Sequence, residues 1–101
     1  MWVMVMFDLP VITRQERKRA TGFRNYLLDE GFEMSQYSVY LRHTSSREKA
    51  QAMAKRVVKQ VPTAGKVSVL FFTDKQFGDI ISYYNCKPSK KKTTPDQYVL
   101  L

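Results

Sequence analysis

The sequence predicts one mixed α+β domain in which four strands are backed by two helices. Apolar runs of strand length alternate with segments of helical periodicity, and the helical segments begin at Ser or Thr residues that are typical N-caps. The chain has 101 residues, 44% of them hydrophobic, which suffices for one core and not for two. We therefore expect a single packed unit that needs neither a metal nor a disulfide to fold.

A buried strand and a capped helix are predicted first. Residues 2–7 are continuously apolar, as in a central strand that is buried on both faces, and Pro10 ends this segment. Thr13 and Glu16 have the spacing of a capping box, so a helix begins here. Gly31 is placed to end that helix as its C′ residue.

Two further strands and a second helix follow. The second strand begins at 32–34, and regular alternation over 37–42 predicts a third. Ser45 and Glu48 open a second helix, whose apolar residues recur at helical spacing as far as Val61. This pattern places one face of the helix against the sheet.

A fourth strand and a short helix complete the domain. Residues 67–72 predict another buried strand, and Thr73 with Gln76 caps a third helix whose apolar positions continue to Tyr84. The order β-α-β-β-α-β is the ferredoxin-like arrangement. We therefore predict a ferredoxin-like domain over residues 1–84.

Residues 85–101 are predicted to be a basic tail that ends in a dimerisation strand. The last segment, 97–101, is apolar and strand-like, and a polar stretch separates it from the domain. Its candidate partners are the edge of its own sheet and the sheet of a second copy. A two-fold homodimer is the commonest closed arrangement.

A surplus of positive charge is the first functional indication. The chain has 17 Lys and Arg against 9 Asp and Glu, a net charge of +8, and its pI is about 9.8. Such a surplus attracts polyanions; the alternative is basicity for solubility alone. The cations are clustered along the chain, which favours a nucleic-acid partner over solubility as the reason for the charge. The candidate nucleic-acid-binding residues are Arg14, Arg17, Lys18, Arg19, Arg42, Lys87, Lys90, Lys91 and Lys92.

The residue types that are scarce exclude several classes of site. His43 is the only histidine, so neither an HExxH motif nor a His-Cys zinc site can form, and we expect His43 at the surface. The isolated glycines exclude nucleotide-hydrolysis loops. Cys86 is the only cysteine, which fits a reducing cytoplasm. The apolar start is shorter than a signal-peptide core or a membrane span, so we expect a cytoplasmic protein without a membrane partner.

Asp8 is the residue that the sequence favours for chemistry. It directly follows an apolar strand, where a carboxylate is unfavourable unless it is solvated, paired or bound to a metal. One interpretation is structural, with Asp8 accepting hydrogen bonds from the loop after Pro10 or capping the region of the first helix. The other is a magnesium site in which a dimer axis brings two copies of Asp8 together, because hard cations prefer oxygen ligands. Mg²⁺ held in this way would bridge phosphate oxygens or activate a bound water.

Several motifs together give the chain a family resemblance. In chain order they are Phe7-Asp8-Leu9-Pro10, Glu16-Arg17-Lys18, Leu27-Leu28-Asp29-Glu30-Gly31-Phe32, Gln36-Tyr37-Ser38-Val39-Tyr40, Gly65-Lys66-Val67-Ser68-Val69-Leu70 and Thr73-Asp74-Lys75-Gln76-Phe77. In this order and spacing they resemble the CRISPR-associated protein two family, the small dimeric subunit of the CRISPR spacer-acquisition complex. The resemblance spans nearly the whole chain.

The resemblance implies a fold, partners and a site. Members of this family are homodimers of ferredoxin-like protomers in which the terminal strand crosses to the partner's sheet. The dimer holds the CRISPR integrase subunit, and the complex inserts a short DNA duplex as a new spacer. Family members are also described as metal-dependent endonucleases on RNA or duplex DNA. The resemblance makes Asp8 the candidate catalytic residue and magnesium ligand, shared between protomers.

Two main hypotheses therefore remain open at the level of sequence. The first is a DNA-binding scaffold in antiviral defence, with transesterification carried out by the integrase subunit. The second is a magnesium-dependent phosphodiesterase that uses Asp8 from both protomers. An RNA-binding module on the same fold is disfavoured, because residues 67–72 lack the glycines and the basic start of the RNP1 pattern. A toxin-like messenger-RNA nuclease related to the family is a further alternative.

Overall fold

The computed structural model describes residues 1–89, in which an antiparallel sheet carries the two longest helices on one face. The elements are β1 (Trp2–Asp8), α1 (Arg14–Asp29), β2 (Glu33–Gln36), β3 (Val39–His43), α2 (Arg47–Val58), β4 (Lys66–Phe72), α3 (Asp74–Gly78), β5 (Tyr83–Tyr84) and β6 (Lys87–Pro88). The sheet order is β2-β3-β1-β4. This order, together with the chain order β-α-β-β-α-β, confirms the predicted ferredoxin-like fold.

The core lies between the sheet and helices α1 and α2. Val5 of β1, Leu27 of α1 and Val57 of α2 are fully buried in one cluster. The ring of Phe7 meets that of Phe23 edge to face, with 5.3 Å between centroids. Each buried side chain of this size stabilises the fold by about 1.5–3 kcal/mol. Alternate residues of β1 supply this face, as the two-residue strand period requires.

Helix α1 is fixed at both ends by the predicted signals. The backbone N–H of Thr13 donates to Glu16 Oε1 at 2.8 Å, and the N–H of Glu16 donates to Thr13 Oγ1 at 3.1 Å. Gly31 has φ 88°, and the N–H of Phe32 donates to the carbonyl of Leu27 at 3.0 Å. That bond and the left-handed glycine are the features of a Schellman motif. The capping box and the glycine C′ are thus confirmed.

The second face of the sheet is covered only at one end. Trp2 stacks on Phe77 of α3 with 4.1 Å between ring centroids, whereas Met6 on the same face of β1 is 41% exposed. The prediction that β1 is buried on both faces is therefore wrong toward its C-terminal end. The predicted burial of β4 is wrong as well, because β4 is an edge strand of mostly intermediate exposure. We call the uncovered part, from Met4 and Met6 across to Val39, the open face.

Three predicted element boundaries differ from the structure. Tyr37 and Ser38 form the turn between β2 and β3 rather than the start of a strand, and Ser38 has φ 63°. The N-cap of α2 is Ser46 rather than Ser45, since the hydroxyl of Ser46 accepts from the N–H of Lys49 at 3.2 Å. Helix α2 ends at Val58, before the predicted Val61. Neighbouring serines offer the same cap chemistry, so local pattern alone does not choose between them.

The region after β4 contains a hairpin that the sequence analysis missed. Helix α3 spans only Asp74–Gly78, with the predicted Thr73–Gln76 capping box, and Tyr84 lies in β5 instead of on this helix. Strands β5 and β6 pair through a turn at Asn85 and Cys86, both with positive φ. The hairpin crosses the boundary that was predicted between the domain, 1–84, and the tail, 85–101. The predicted dimerisation strand, 97–101, lies outside the described residues.

Candidate nucleic-acid site

Asp8 ends β1 with an exposed side chain on the open face. It follows Met4 and Met6 at two-residue intervals, so it points away from the helices. In the register of β1 and β4, Asp8 lies directly opposite Lys66. Side chains opposite each other in antiparallel strands have Cβ atoms roughly 4.5–5.5 Å apart. Neither side chain forms an ion pair or hydrogen bond within the described part of the chain.

Gly65 permits the close approach that places Lys66 beside Asp8. It has φ 94°, a conformation that other residues rarely adopt. A Cβ atom at this position would lie 2.7 Å from the carbonyl oxygen of Asp8 and 2.9 Å from Leu9 Cδ2. The start of β4 therefore packs against the end of β1 at a distance that only glycine allows.

A shallow cavity adjoins these two residues. Its volume is about 240 Å³, and its polar lining comes from three segments that meet at this end of the sheet. The carbonyl of Ser38 accepts a hydrogen bond from the N–H of Phe7 at 3.0 Å, which fixes the β2–β3 turn next to the end of β1. Tyr37 in that turn is 90% exposed. Asp8, Tyr37 and Lys66 all line this cavity.

Three of the predicted basic residues lie together on α1. Arg14, Arg17 and Lys18 line an exposed groove on the outer side of the helix. The guanidinium of Arg17 also donates to the carbonyls of Val11 and Ile12, at 3.2 and 2.7 Å. Helix α1 packs on the sheet face opposite to the open face. The structure therefore does not bring these cations and Asp8 onto one surface, although both lie near the β1–α1 connection.

The other predicted basic residues are dispersed. The guanidinium of Arg42 donates to the carbonyl of Glu30 and lies 3.9 Å from the sulfur of Met53, between sheet and helices. It thus satisfies a free carbonyl at the end of α1. Arg19 lines a different, small cavity, and Lys87 is exposed in β6. The remaining candidates, Lys90, Lys91 and Lys92, lie outside the described residues.

A polar cluster at the far end of β1 was not predicted. His43, which was expected at the surface, has a partly exposed side chain (18%), and its Nε2 lies 3.1 Å from Asp74 Oδ1. The amino group of Met1 also donates to Asp74 Oδ1, at 3.0 Å. This hydrogen bond is the main reason why the pKa of Asp74 is lowered. Because Trp2 packs edge to face on His43, the cluster belongs to the covered end of the sheet, away from Asp8.

The described part of one copy of the chain does not supply a complete metal site. Within residues 1–89, no group of three His, Cys, Asp or Glu side chains is arranged to hold a metal ion. Asp8 supplies one exposed carboxylate, and Mg²⁺ in proteins is typically held by one or two carboxylates together with substrate phosphates and waters. Asp8 thus fits half of such a site. The same described range has no helix long and apolar enough to cross a membrane.

Comparison with known proteins identifies the family of this chain. The family model described as CRISPR associated protein Cas2 matches residues 1–80, which include Asp8, Tyr37 and Lys66. The chain belongs to the Cas2 family. This membership confirms the family that the sequence motifs indicated.

Relatives from three bacteria agree with this assignment. A protein from Paracidovorax avenae is 50% identical over 100 residues, which cover 99% of this chain and 93% of the relative. One from Parvibaculum lavamentivorans is 46% identical over 100 residues, covering 99% of both chains. One from Flavobacterium psychrophilum is 49% identical over 88 residues, covering 87% of this chain and 76% of the relative. All three bear the name CRISPR-associated endoribonuclease Cas2.

Proposed function

We propose that the protein is a homodimeric nucleic-acid-binding scaffold that works with the CRISPR integrase subunit to acquire new spacers in antiviral defence. The observation that carries this proposal is the basic groove of Arg14, Arg17 and Lys18 on the solvent side of α1. Exposed Lys and Arg side chains bind phosphates with little dependence on base sequence. Such binding suits a subunit that holds DNA of many sequences.

Duplex DNA binding tests the role of the groove. The double substitution Arg14→Gln with Lys18→Gln removes two exposed cations, so the plot of log K against log salt becomes shallower by about 1.8. The matched control is Lys55→Gln with Lys59→Gln, which removes two exposed cations from the region of α2. An equal reduction of this slope in the two double variants would mean that DNA binding depends only on net charge, and the groove would not be the binding surface.

The open face supports the homodimer. Met6 is 41% exposed on it, and Met4, Val39 and Leu70 remain partly accessible. A second copy related by a two-fold axis would cover the same apolar surface on both protomers. We expect Met6→Gln to weaken association measured by sedimentation equilibrium, whereas Val58→Gln, at a 62% exposed position of α2, leaves it unchanged. Undiminished association of the Met6 variant would place the interface elsewhere.

A second candidate function is magnesium-dependent cleavage of RNA or duplex DNA through Asp8 of both protomers. It is favoured by the exposure of Asp8 opposite Lys66, which forms no ion pair within residues 1–89, and by the endoribonuclease name of the relatives. The two Asp8 carboxylates would hold Mg²⁺, which supplies charge stabilisation at a phosphate and lowers the pKa of a bound water. The rest of the chain would orient the substrate around this point.

The substitution Asp8→Asn separates the two functions. If the protein is a scaffold, the variant supports spacer acquisition with the integrase subunit as well as the unaltered chain does. If the protein is also a nuclease, the variant and excess chelator each abolish cleavage of single-stranded RNA or duplex DNA. Loss of acquisition with intact complex assembly would contradict the scaffold proposal, and cleavage that survives both treatments would contradict the nuclease proposal.

A further inference from the structure

We propose that Tyr37 and Lys66 form a nucleotide subsite beside Asp8, in which Lys66 binds a phosphate and Tyr37 stacks on an unpaired base. The proposal rests on the second candidate function, since it gives the Asp8 site its substrate contacts. It concerns how the substrate is positioned and not the bond-breaking step. Both residues line the same 240 Å³ cavity as Asp8.

Lys66 is available for a phosphate because no described residue of its own chain neutralises it. It is exposed, and within residues 1–89 it takes part in no ion pair. Its position opposite Asp8 in the β1–β4 register is fixed by the close packing at Gly65. An ammonium group in this place would hold the anionic phosphate that the neighbouring carboxylate of Asp8 repels. The pair thus orients a phosphodiester at one edge of the cavity.

Tyr37 supplies an aromatic surface at the other side of the same cavity. It is 90% exposed, and it has no ring partner among the described residues. The turn that carries it is held by the hydrogen bond from Phe7 to Ser38, so the ring is presented from an anchored backbone. Aromatic rings of this kind stack on successive bases in proteins that bind single strands.

The geometry selects an unpaired nucleotide. A stacking ring needs the face of a base, whereas a base inside a duplex presents only its edges. The subsite therefore discriminates single-stranded from duplex substrates at Asp8, whereas the groove on α1 contacts phosphates of either.

Equilibrium binding in excess chelator tests the subsite without cleavage. The probe is a short fluorescein-labelled single-stranded RNA, followed by fluorescence anisotropy at several salt concentrations. Tyr37→Ala is expected to weaken binding by about fivefold or more, while Tyr37→Phe, which keeps the ring, binds like the unaltered chain. Lys66→Gln is expected to reduce the slope of log K against log salt by about 0.7. Duplex DNA binding should be unchanged by Tyr37→Ala.

Each variant has a matched control. Tyr37→Phe keeps the ring and controls for Tyr37→Ala, and Lys59→Gln removes an exposed lysine beyond α2 and controls for Lys66→Gln. Urea unfolding confirms that each variant is folded. An RNA affinity of Tyr37→Ala within about twofold of that of the unaltered chain, or an equal reduction of the salt slope in Lys59→Gln, would overturn the subsite.

The outcome for the subsite is independent of the nuclease activity. If no RNA is cleaved in magnesium but Tyr37→Ala and Lys66→Gln still weaken binding as expected, the subsite stands and the nuclease proposal fails. If RNA is cleaved through Asp8 but both variants bind and cleave like the unaltered chain, the nuclease proposal stands and the subsite fails.

Discussion

Replacing Gly65 with alanine tests whether close packing at the start of β4 holds the Asp8 site together. At φ 94°, an alanine would be in the left-handed region, at a cost of roughly 1–2 kcal/mol. Its Cβ would also lie 2.7 Å from a backbone oxygen of Asp8, and relief of such an overlap in packed structure costs about 1–3 kcal/mol. We therefore expect Gly65→Ala to lower the free energy of unfolding by roughly 2–5 kcal/mol.

Two other glycines serve as matched controls for the same chemical change. Gly31 shares the left-handed conformation at φ 88°, but the nearest atoms to a Cβ at this position would be those of the flexible Arg42 guanidinium, at 3.5 Å. Gly31→Ala should therefore cost only the conformational term, about 1–2 kcal/mol. Gly22 is helical, and a Cβ there would have no atom within 4 Å, so Gly22→Ala should stabilise the protein by about 0.5–1 kcal/mol.

Urea unfolding measures all three variants with the natural probe Trp2. This residue is the only tryptophan and is 3% exposed, so its fluorescence reports the packed state. Protein concentration must be equal throughout, because dimerisation adds a concentration-dependent term. A Gly65→Ala variant no less stable than Gly31→Ala would refute the close approach of β4 to β1. An unchanged m-value is needed for the comparison to report stability alone.

Two further changes address the ends of β1 and α1. Thr13→Ala removes the N-cap oxygen that accepts from Glu16, so the free energy of unfolding should fall by about 1 kcal/mol, measured in urea; no change would mean that the capping box is not formed in solution. Asp74 has a lowered pKa in the folded protein, and the largest cause is the hydrogen bond from the amino group of Met1. The ionised carboxylate therefore stabilises the fold at pH values above its unfolded-state pKa. This stabilisation is lost as the pH falls through the folded-state pKa. The stability difference between the unaltered chain and Asp74→Asn should therefore be present near neutral pH and should vanish in acid; a difference that grows in acid would contradict this assignment.

Local signals in the sequence predicted the elements whose ends depend on neighbouring residues. Thr13 and Glu16 satisfy each other's backbone groups three residues apart, and Gly31 supplies a left-handed C′, so α1 is found without knowledge of its surroundings. The prediction that Tyr84 lies on the third helix was wrong because the structure at this position is not decided by helical spacing. Its spacing fits a helix, but the positive φ of Asn85 and Cys86 turns the chain into a hairpin, and neither residue is a glycine that would have indicated this.

The candidate site could be predicted only in part. Asp8 was found because a carboxylate directly after an apolar strand is conspicuous in one short segment. Lys66 and Tyr37 were missed because they reach Asp8 through strand pairing and a turn contact, which join distant parts of the chain. A signal for Lys66 existed in Gly65, since an isolated glycine before a strand often marks a close backbone approach. Arg42, by contrast, was indicated by its charge, and the structure shows it bound to the end of α1.

If both proposed functions hold, the position of the cations relative to the sheet explains how one small fold would serve two kinds of nucleic acid. Arg14 and Lys18 lie on the helix side, while Asp8 and Lys66 lie on the open face. In a homodimer formed through the open faces, both Asp8 cavities would adjoin the interface and both α1 grooves would remain outside. A duplex held along α1 would then keep its phosphates away from Asp8, so binding would not lead to cleavage. An unpaired strand, which is thinner and has exposed base faces, would reach the cavity instead.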